Sequence, residues 1–74
     1  MNIENLPLVE IEYPDSQNDV LVIRCVHVTE LDDSYLKGYE VLRNYVSIDP
    51  PQFKKYKLNR IVDRGIHLME FTSL

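Results

Sequence analysis

Basic and aromatic side chains alternate in residues 53–61, which read FKKYKLNRI. If this segment is a β-strand, Lys54, Tyr56 and Arg60 project to one face, because alternate residues of a strand share a face. Aromatic rings that alternate with cations are typical of surfaces that stack a base and contact a phosphate. The segment therefore predicts a groove for a nucleotide or for single-stranded nucleic acid.

The position of Arg60 has two interpretations. Because Tyr56 should point inward, Arg60 falls on the core side at the end of the strand, where a guanidinium needs an anionic or carbonyl partner. One interpretation, which the spacing alone favours, pairs Arg60 with a carboxylate of the N-terminal half. The other places Arg60 at the mouth of the fold, facing a phosphate or another anion. Lysines also protect sheet edges from pairing with other chains. Lys54, Lys55 and Lys57 are therefore interpreted either as residues of a solvated edge or as part of a binding surface.

Motifs for catalysis and metal binding are not found in the sequence. His27 and His67 lie far apart without a carboxylate at ligand spacing, so no metal or cofactor is expected and each is interpreted as a partly exposed strand residue. Cys25 falls in an apolar stretch and is expected to be a buried hydrophobic residue rather than a nucleophile. The only glycines, Gly38 and Gly65, form no phosphate-binding loop. We therefore expect a protein that is not an enzyme.

The composition predicts one small globular domain, with 74 residues of which 45% are hydrophobic and 27% charged. The formal net charge of −4 at first argues against nucleic-acid binding. The charge is uneven, however, because residues 1–36 have a net charge of −7 and residues 37–64 a net charge of +4. The basic segment contains the predicted groove, so an anionic ligand is compatible with the acidic total. The two halves could instead pair with each other across a sheet.

The sequence also predicts a soluble, cytoplasmic protein. No apolar run approaches the roughly 18 residues that span a membrane. The acidic N-terminus lacks the positively charged region of a signal peptide. A single cysteine excludes an intramolecular disulfide framework and fits a reducing compartment.

Five short segments have the alternation or the β-branched composition of strands, and turn-forming residues separate them. They are residues 8–13, 20–28, 35–42, 53–61 and 66–71. Residues 47–51 are excluded from any element, because two consecutive prolines remove hydrogen-bond donors and fix φ. We expect one all-β domain over residues 1–74, with residues 1–7 as an N-terminal tail, folded as a five-stranded barrel that leaves no exposed edge.

The run SYLKGY at residues 34–39 resembles the first conserved strand of the WYL domain family, which begins Trp-Tyr-Leu and ends in a small residue and Tyr. Tyr35 and Leu36 match the second and third letters of the family's name, and Gly38 and Tyr39 match the end of the strand. Ser34 stands in place of the Trp.

Residues 53–61 resemble a later strand of the same family, of the form Arg-x-Phe-Arg-Leu-Asp-Arg-Ile. The identical positions are Leu58, Arg60 and Ile61. The positions that keep a charge or a ring are Lys54, Tyr56 and Lys57. Asn59 replaces the Asp, and residues 23–24 are Ile-Arg where the family has His-Pro.

The resemblance implies a small SH3-like or Sm-like β-barrel. WYL domains usually follow a helix-turn-helix in bacterial transcription regulators and also occur beside CRISPR and other phage-defence systems. They are thought to sense nucleotides or nucleic acid through a basic groove. The resemblance thus implies a stand-alone bacterial or phage regulatory module. The expected ligand-binding residues are Tyr35, Tyr39, Arg43, Lys54, Tyr56, Lys57 and Arg60.

A second hypothesis is a protein-interaction module or inhibitor, encoded by a phage for example. Such a module would use the acidic N-terminal half or exposed edge strands to contact a protein partner. Assembly of several copies through edge strands is compatible with both hypotheses. Neither hypothesis involves a membrane.

Overall fold

Five antiparallel strands form one sheet in the computed structural model of the protein, which describes residues 2–69. The strands are β1 Leu8–Pro14, β2 Leu21–Leu31, β3 Tyr35–Arg43, β4 Val46–Lys57 and β5 His67–Leu68. Their order in the sheet is β4-β3-β2-β1-β5. The first four strands are therefore consecutive hairpins, and the chain then returns to pair β5 with the free side of β1.

Polar side chains shape the tight turns of this meander. Asp15 accepts a hydrogen bond from the backbone N–H of Gln17 at 2.8 Å in the β1–β2 turn. Asp32 accepts two, from the backbone N–H groups of Ser34 and Tyr35, each at 2.8 Å, in the β2–β3 turn. These two hydrogen bonds lower the pKa of Asp32. Short acidic side chains commonly close turns in this way, as their sequence positions predicted.

The all-β, five-stranded character is confirmed, but the sheet is not a closed barrel. Strands β4 and β5 lie at opposite edges and do not pair. In the described part of the chain, β5 contributes only two paired residues. The pairing of β4 ends opposite Tyr35, the first residue of β3.

The chain itself covers the open side of the sheet. The predicted strand over residues 53–61 is wrong in its last part, because residues after Lys57 form 3-10 turns, Leu58–Arg60 and Val62–Arg64. Ile61 lies between these turns, is 3% exposed and packs into the core. The predicted last strand is present only as His67–Leu68, and residues 70–71 lie outside the described residues.

The hydrophobic core lies between one face of the sheet and residues 58–64, which we call the crossing segment. Its buried members are Val9, Ile11, Val26, Leu36, Tyr56 and Ile61. The end of the segment expected to be a tail, residues 1–7, contacts β2, where the carbonyl oxygen of Pro7 accepts a hydrogen bond from the N–H of Val28 at 2.8 Å. Cys25 is fully buried, as predicted. Its pKa is raised by burial and by the charges of Glu10 and Glu40.

The exclusion of residues 47–51 from any element is also wrong, since β4 includes both prolines. The pairing of β4 with β3 passes from Ser47–Leu42 directly to Gln52–Glu40, so the prolines lie where the ladder is interrupted. Strand β4 is moreover an edge strand. A proline without an N–H is tolerated at an edge or at a bulge, because no ladder bond is lost there.

Gly38 permits the close approach of β3 to β2. A Cβ atom at this position would overlap the carbonyl oxygen of His27 and lie 2.8 Å from Cγ1 of Val26. We therefore expect Gly38→Ala to lower the free energy of unfolding by about 1–3 kcal/mol in urea titrations, because overpacking forces the strands apart. The matched control is Gly65→Ala, whose Cβ would meet mainly the exposed side chain of His67. Equal effects of the two substitutions would contradict the close approach.

Candidate anion-binding site

A buried carboxylate, Glu40 on β3, is shared by three cations. Nη1 of Arg24 lies 3.0 Å from Oε2 of Glu40. Arg43 makes a bidentate contact, with Nη2 at 2.8 Å from Oε1 and Nε at 3.2 Å from Oε2. Nζ of Lys54 lies 3.7 Å from Oε1. We call Glu40 and these three cations the Glu40 cluster.

Strand register brings the cluster to one face of the sheet. Glu40 and Arg43 are three residues apart, so they would project to opposite faces of a regular strand. The pairing of β3 with β2 shifts between Cys25 and Val26, which leaves Val41 as an extra residue on β3. This bulge returns Arg43 to the face of Glu40, where Arg24 and Lys54 also lie.

The cluster has more positive than negative charge. Glu40 is fully buried and Arg24 is 5% exposed, so water screens their interaction poorly. Burial by itself raises the pKa of Glu40, but the hydrogen bond from Arg43 and the charge of Arg24 outweigh it, and the pKa lies below its ordinary value. Glu40 is thus ionised at neutral pH. One negative charge faces three positive charges, a surplus of two.

A pocket of about 230 Å³ opens beside the cluster. We call it the basic pocket. The lining residues that matter for its chemistry are Tyr13, Arg24, Lys54, Tyr56 and Arg60. They come from β1, β2, β4 and the 3-10 turn after β4, so the pocket exists only once the crossing segment has folded over the sheet.

Tyr13 is held in a fixed position at the wall of the pocket. The guanidinium carbons of Arg24 and Arg60 each lie 5.9 Å from the centroid of its ring. The ring of Tyr56 packs against it edge to face, with centroids 5.0 Å apart. The hydroxyl oxygen of Tyr13 accepts a hydrogen bond from the backbone N–H of Lys57 at 3.0 Å. These contacts fix the ring before any ligand arrives.

Two buried polar atoms of the pocket residues have no hydrogen-bond partner among residues 2–69. They are Nε of Arg24 and the hydroxyl of Tyr56. Burial raises the pKa of Tyr56, so its phenol remains neutral and can donate a hydrogen bond. Buried donors without a partner are uncommon, because each costs free energy that an acceptor would recover.

The structure brings four of the seven predicted ligand residues together. Lys54, Tyr56 and Arg60 line the basic pocket, and Arg43 contacts Glu40 beside it. The other three lie on the opposite face of the sheet, as their cross-strand pairs show, and are Tyr35, Tyr39 and Lys57. One continuous groove through all seven is therefore not formed.

Arg60 contacts a carboxylate of the N-terminal half, as one of its two interpretations proposed. Its Nη2 lies 3.5 Å from Oδ1 of Asp19. Both side chains are exposed, so this ion pair is weak, and Arg60 also lines the pocket. The deeply buried arginine is Arg24 instead.

Arg24 and Tyr13 were not among the predicted site residues, although the sequence contains a signal for both. Arg24 alternates with Val22 and Val26, which are buried, so its side chain had to face the core. Tyr13 alternates in the same way with Ile11 on β1. A charged residue on the apolar side of a strand is a stronger indication of a site than lysines at an edge.

Two other pockets of about 350 Å³ each lack the concentration of positive charge that the basic pocket has. One contains Glu10, Glu12 and Asp63, and the other mixes Asp33 with Lys57 and Arg64. Over residues 2–69 no group of three metal-ligating side chains is present.

The two histidines lie on strands, as predicted. His27 on β2 is half-buried, with Nδ1 3.1 Å from the carbonyl oxygen of Leu6, and His67 on β5 is exposed. In the same part of the chain, no helix has the length and apolar character needed to cross a membrane.

Comparisons of the chain with models of protein families, with curated proteins and with solved structures find no match.

Proposed function

We propose that the protein is a non-catalytic regulatory module whose basic pocket binds a phosphate group of a nucleotide or of single-stranded nucleic acid. The observation that carries this proposal is the surplus of positive charge around Glu40, which a bound anion would neutralise. Arginine is well suited to phosphate because its planar donors match the geometry of the oxygens.

The size of the pocket limits what can enter. Pockets for small organic ligands usually measure about 300–1,000 Å³, whereas the basic pocket measures about 230 Å³. A phosphate and part of its sugar fit this space, and the rest of the ligand stays outside. The half-exposed ring of Tyr13 at the wall offers an apolar contact for the sugar or the base.

The resemblance of residues 34–39 and 53–61 to WYL domains agrees with this proposal. Three residues of the WYL-like strand, Lys54, Tyr56 and Arg60, line the basic pocket. The same proposal includes a cytoplasmic role in regulating a transcription or phage-defence complex. It also includes the interpretation of the open sheet as a variant of an SH3-like or Sm-like fold.

The alternative is a protein-interaction module or inhibitor that uses the acidic N-terminal half or an exposed edge strand, and the edge strand is the less well supported of its two surfaces. The long free edge of the sheet is β4, which contains Pro50 and Pro51 in its first half. Its second half contains Lys54, Lys55 and Lys57. Prolines and lysines on an edge strand discourage pairing with another chain, because they remove donors and introduce charge repulsion.

Substitution of Arg60 tests the pocket. We expect Arg60→Ala to weaken binding of dTMP, and of short single-stranded oligonucleotides, about tenfold or more, because a charged hydrogen-bond donor is lost. Affinities are measured by calorimetry at two salt concentrations, and those of the wild type should fall as salt rises. Arg64→Ala is the control, since it removes the same charge from the neighbouring 3-10 turn outside the pocket.

Two outcomes contradict the proposal. One is a wild-type protein with no salt-sensitive binding to any of these ligands, which would favour the protein-interaction alternative. The other is an equal loss of affinity in both variants, which would mean that net charge alone attracts the ligand.

A further inference from the structure

The sheet face opposite the basic pocket carries a second set of aromatic and basic side chains. Tyr39 on β3 lies directly opposite Phe53 on β4, and Tyr35 lies opposite Lys57. Lys55 lies on the same face, because it alternates with Phe53 and Lys57 along β4. We call these five residues the aromatic face.

Two of its rings are held in place and remain accessible. Tyr39 and Phe53 pack edge to face, with centroids 5.2 Å apart and an angle of 68° between the rings. Phe53 is nevertheless 55% exposed. An exposed phenylalanine costs free energy unless a partner covers it, and here the ring is already oriented by its neighbour.

A third ring of the aromatic face, Tyr35, contacts a cation. Nζ of Lys55 lies 4.1 Å from the centroid of the Tyr35 ring, within the range of a cation–π contact. Within residues 2–69, neither Lys55 nor Lys57 has a carboxylate within salt-bridge distance. The two lysines therefore keep positive charge on this face that no salt bridge neutralises, although Asp32 lies near enough to Lys55 for their charges to interact.

We infer that the aromatic face binds single-stranded nucleic acid, with bases stacked on Phe53 and Tyr39 and the phosphate backbone along the lysines. Stacking platforms flanked by cations bind single strands in this manner, because every base has a flat apolar surface. An apolar protein partner would leave the charges of Lys55 and Lys57 without a counterion. Charge complementarity thus favours the nucleic acid.

The inference deepens the proposed function and rests on it in one respect, the identity of the ligand. Lys54 lines the basic pocket while its neighbours Phe53 and Lys55 lie on the aromatic face, so β4 separates the two sites by the thickness of one strand. Lys55 also borders the pocket. A strand that passes over the β4 edge reaches both sites, whereas a mononucleotide reaches only one. The ligand is therefore a polynucleotide.

The test compares a ten-nucleotide oligo(dT) with dTMP. We expect Phe53→Ala to weaken oligo(dT) binding about 5- to 150-fold, the range that removal of a stacked aromatic ring produces. It should leave dTMP binding in the basic pocket unchanged. Val46→Ala is the matched control, because it trims a 68% exposed apolar side chain on the same strand. The ring protons of Phe53 should also shift upfield in NMR spectra when oligo(dT) is added.

The outcomes separate this inference from the proposed function. If Arg60→Ala weakens oligo(dT) binding and Phe53→Ala leaves it unchanged, the aromatic face is not part of the site but the basic pocket remains. If Phe53→Ala weakens binding and Arg60→Ala does not, the aromatic face is confirmed and the basic pocket is wrong. A wild type that binds dTMP and oligo(dT) equally well, or binds neither, overturns the inference.

Discussion

Glu40→Ala is expected to lower the free energy of unfolding by about 3–5 kcal/mol, because it leaves Arg24 buried without a counter-charge. Arg24 is 5% exposed and its only carboxylate contact within residues 2–69 is Glu40. A chain of this length has a total stability of about 4–11 kcal/mol. The loss is thus a large share of the total, and the midpoint of the urea titration, followed by circular dichroism, should fall far below that of the wild type.

A double substitution separates the loss of an ion pair from the loss of packing. In Arg24→Met with Glu40→Leu, both buried charges are replaced by apolar groups of similar volume. We expect this variant to recover most of the stability, since replacing a whole buried pair is often neutral or stabilising. If Glu40→Ala alone is as stable as the wild type, the buried cluster has no energetic role.

The same cluster gives stability a defined dependence on pH. The pKa of Glu40 is lower in the folded protein than its ordinary value, so the folded state binds its proton less readily than the unfolded state does. Its contribution is complete above the unfolded carboxyl pKa of about 4.3 and is lost as the pH falls through the folded pKa. The stability difference between wild type and Glu40→Gln should thus shrink between pH 7 and pH 3.

Tyr56→Ala is expected to have the other large effect, a loss of about 3–5 kcal/mol, as for other large aromatic residues truncated in a core. Tyr56 is 2% exposed and packs with Leu36 and Ile61, which places it between the sheet and the crossing segment. Removal of its ring leaves a cavity at this junction. The expected result is a lower midpoint in urea and a less protected segment after Lys57 in hydrogen exchange.

Tyr56→Phe is the matched control, and it distinguishes stability from binding. The hydroxyl of Tyr56 has no hydrogen-bond partner among residues 2–69, so its removal should leave stability unchanged or slightly higher. A loss of more than about 1 kcal/mol would show that the hydroxyl is satisfied after all. If the hydroxyl instead donates to a bound phosphate, Tyr56→Phe weakens dTMP binding while the fold stays intact.

Stability and binding are linked through the surplus charge of the Glu40 cluster. Three cations around one carboxylate repel one another in the free protein, at a cost that burial increases. An anion in the basic pocket reduces this repulsion. Ligands that bind only the folded state raise its stability in proportion to the logarithm of their concentration. A phosphate that binds in the basic pocket would therefore raise the midpoint of the urea titration as its concentration rises.

Much of the fold could be predicted from local patterns. The alternation of Val9, Ile11 and Tyr13 determined the inward face of β1, and turn-forming residues determined where the β1–β2 and β2–β3 hairpins close. The strand at residues 35–42 could be predicted because tyrosines and β-branched side chains favour extended backbone. These signals are local, so a single sequence contains them.

Local sequence patterns were thus sufficient to predict an all-β chain with a basic and aromatic segment, and to predict that Tyr56 points inward. The tertiary structure decided which cations meet. The bulge at Val41 sets the face of Arg43. The pairing of β4 stops at Lys57, opposite the first residue of β3, Tyr35, and the chain after Lys57 crosses the sheet instead of closing a barrel. Both depend on the register between strands distant in sequence, and register is a property of the paired backbone that no single strand specifies.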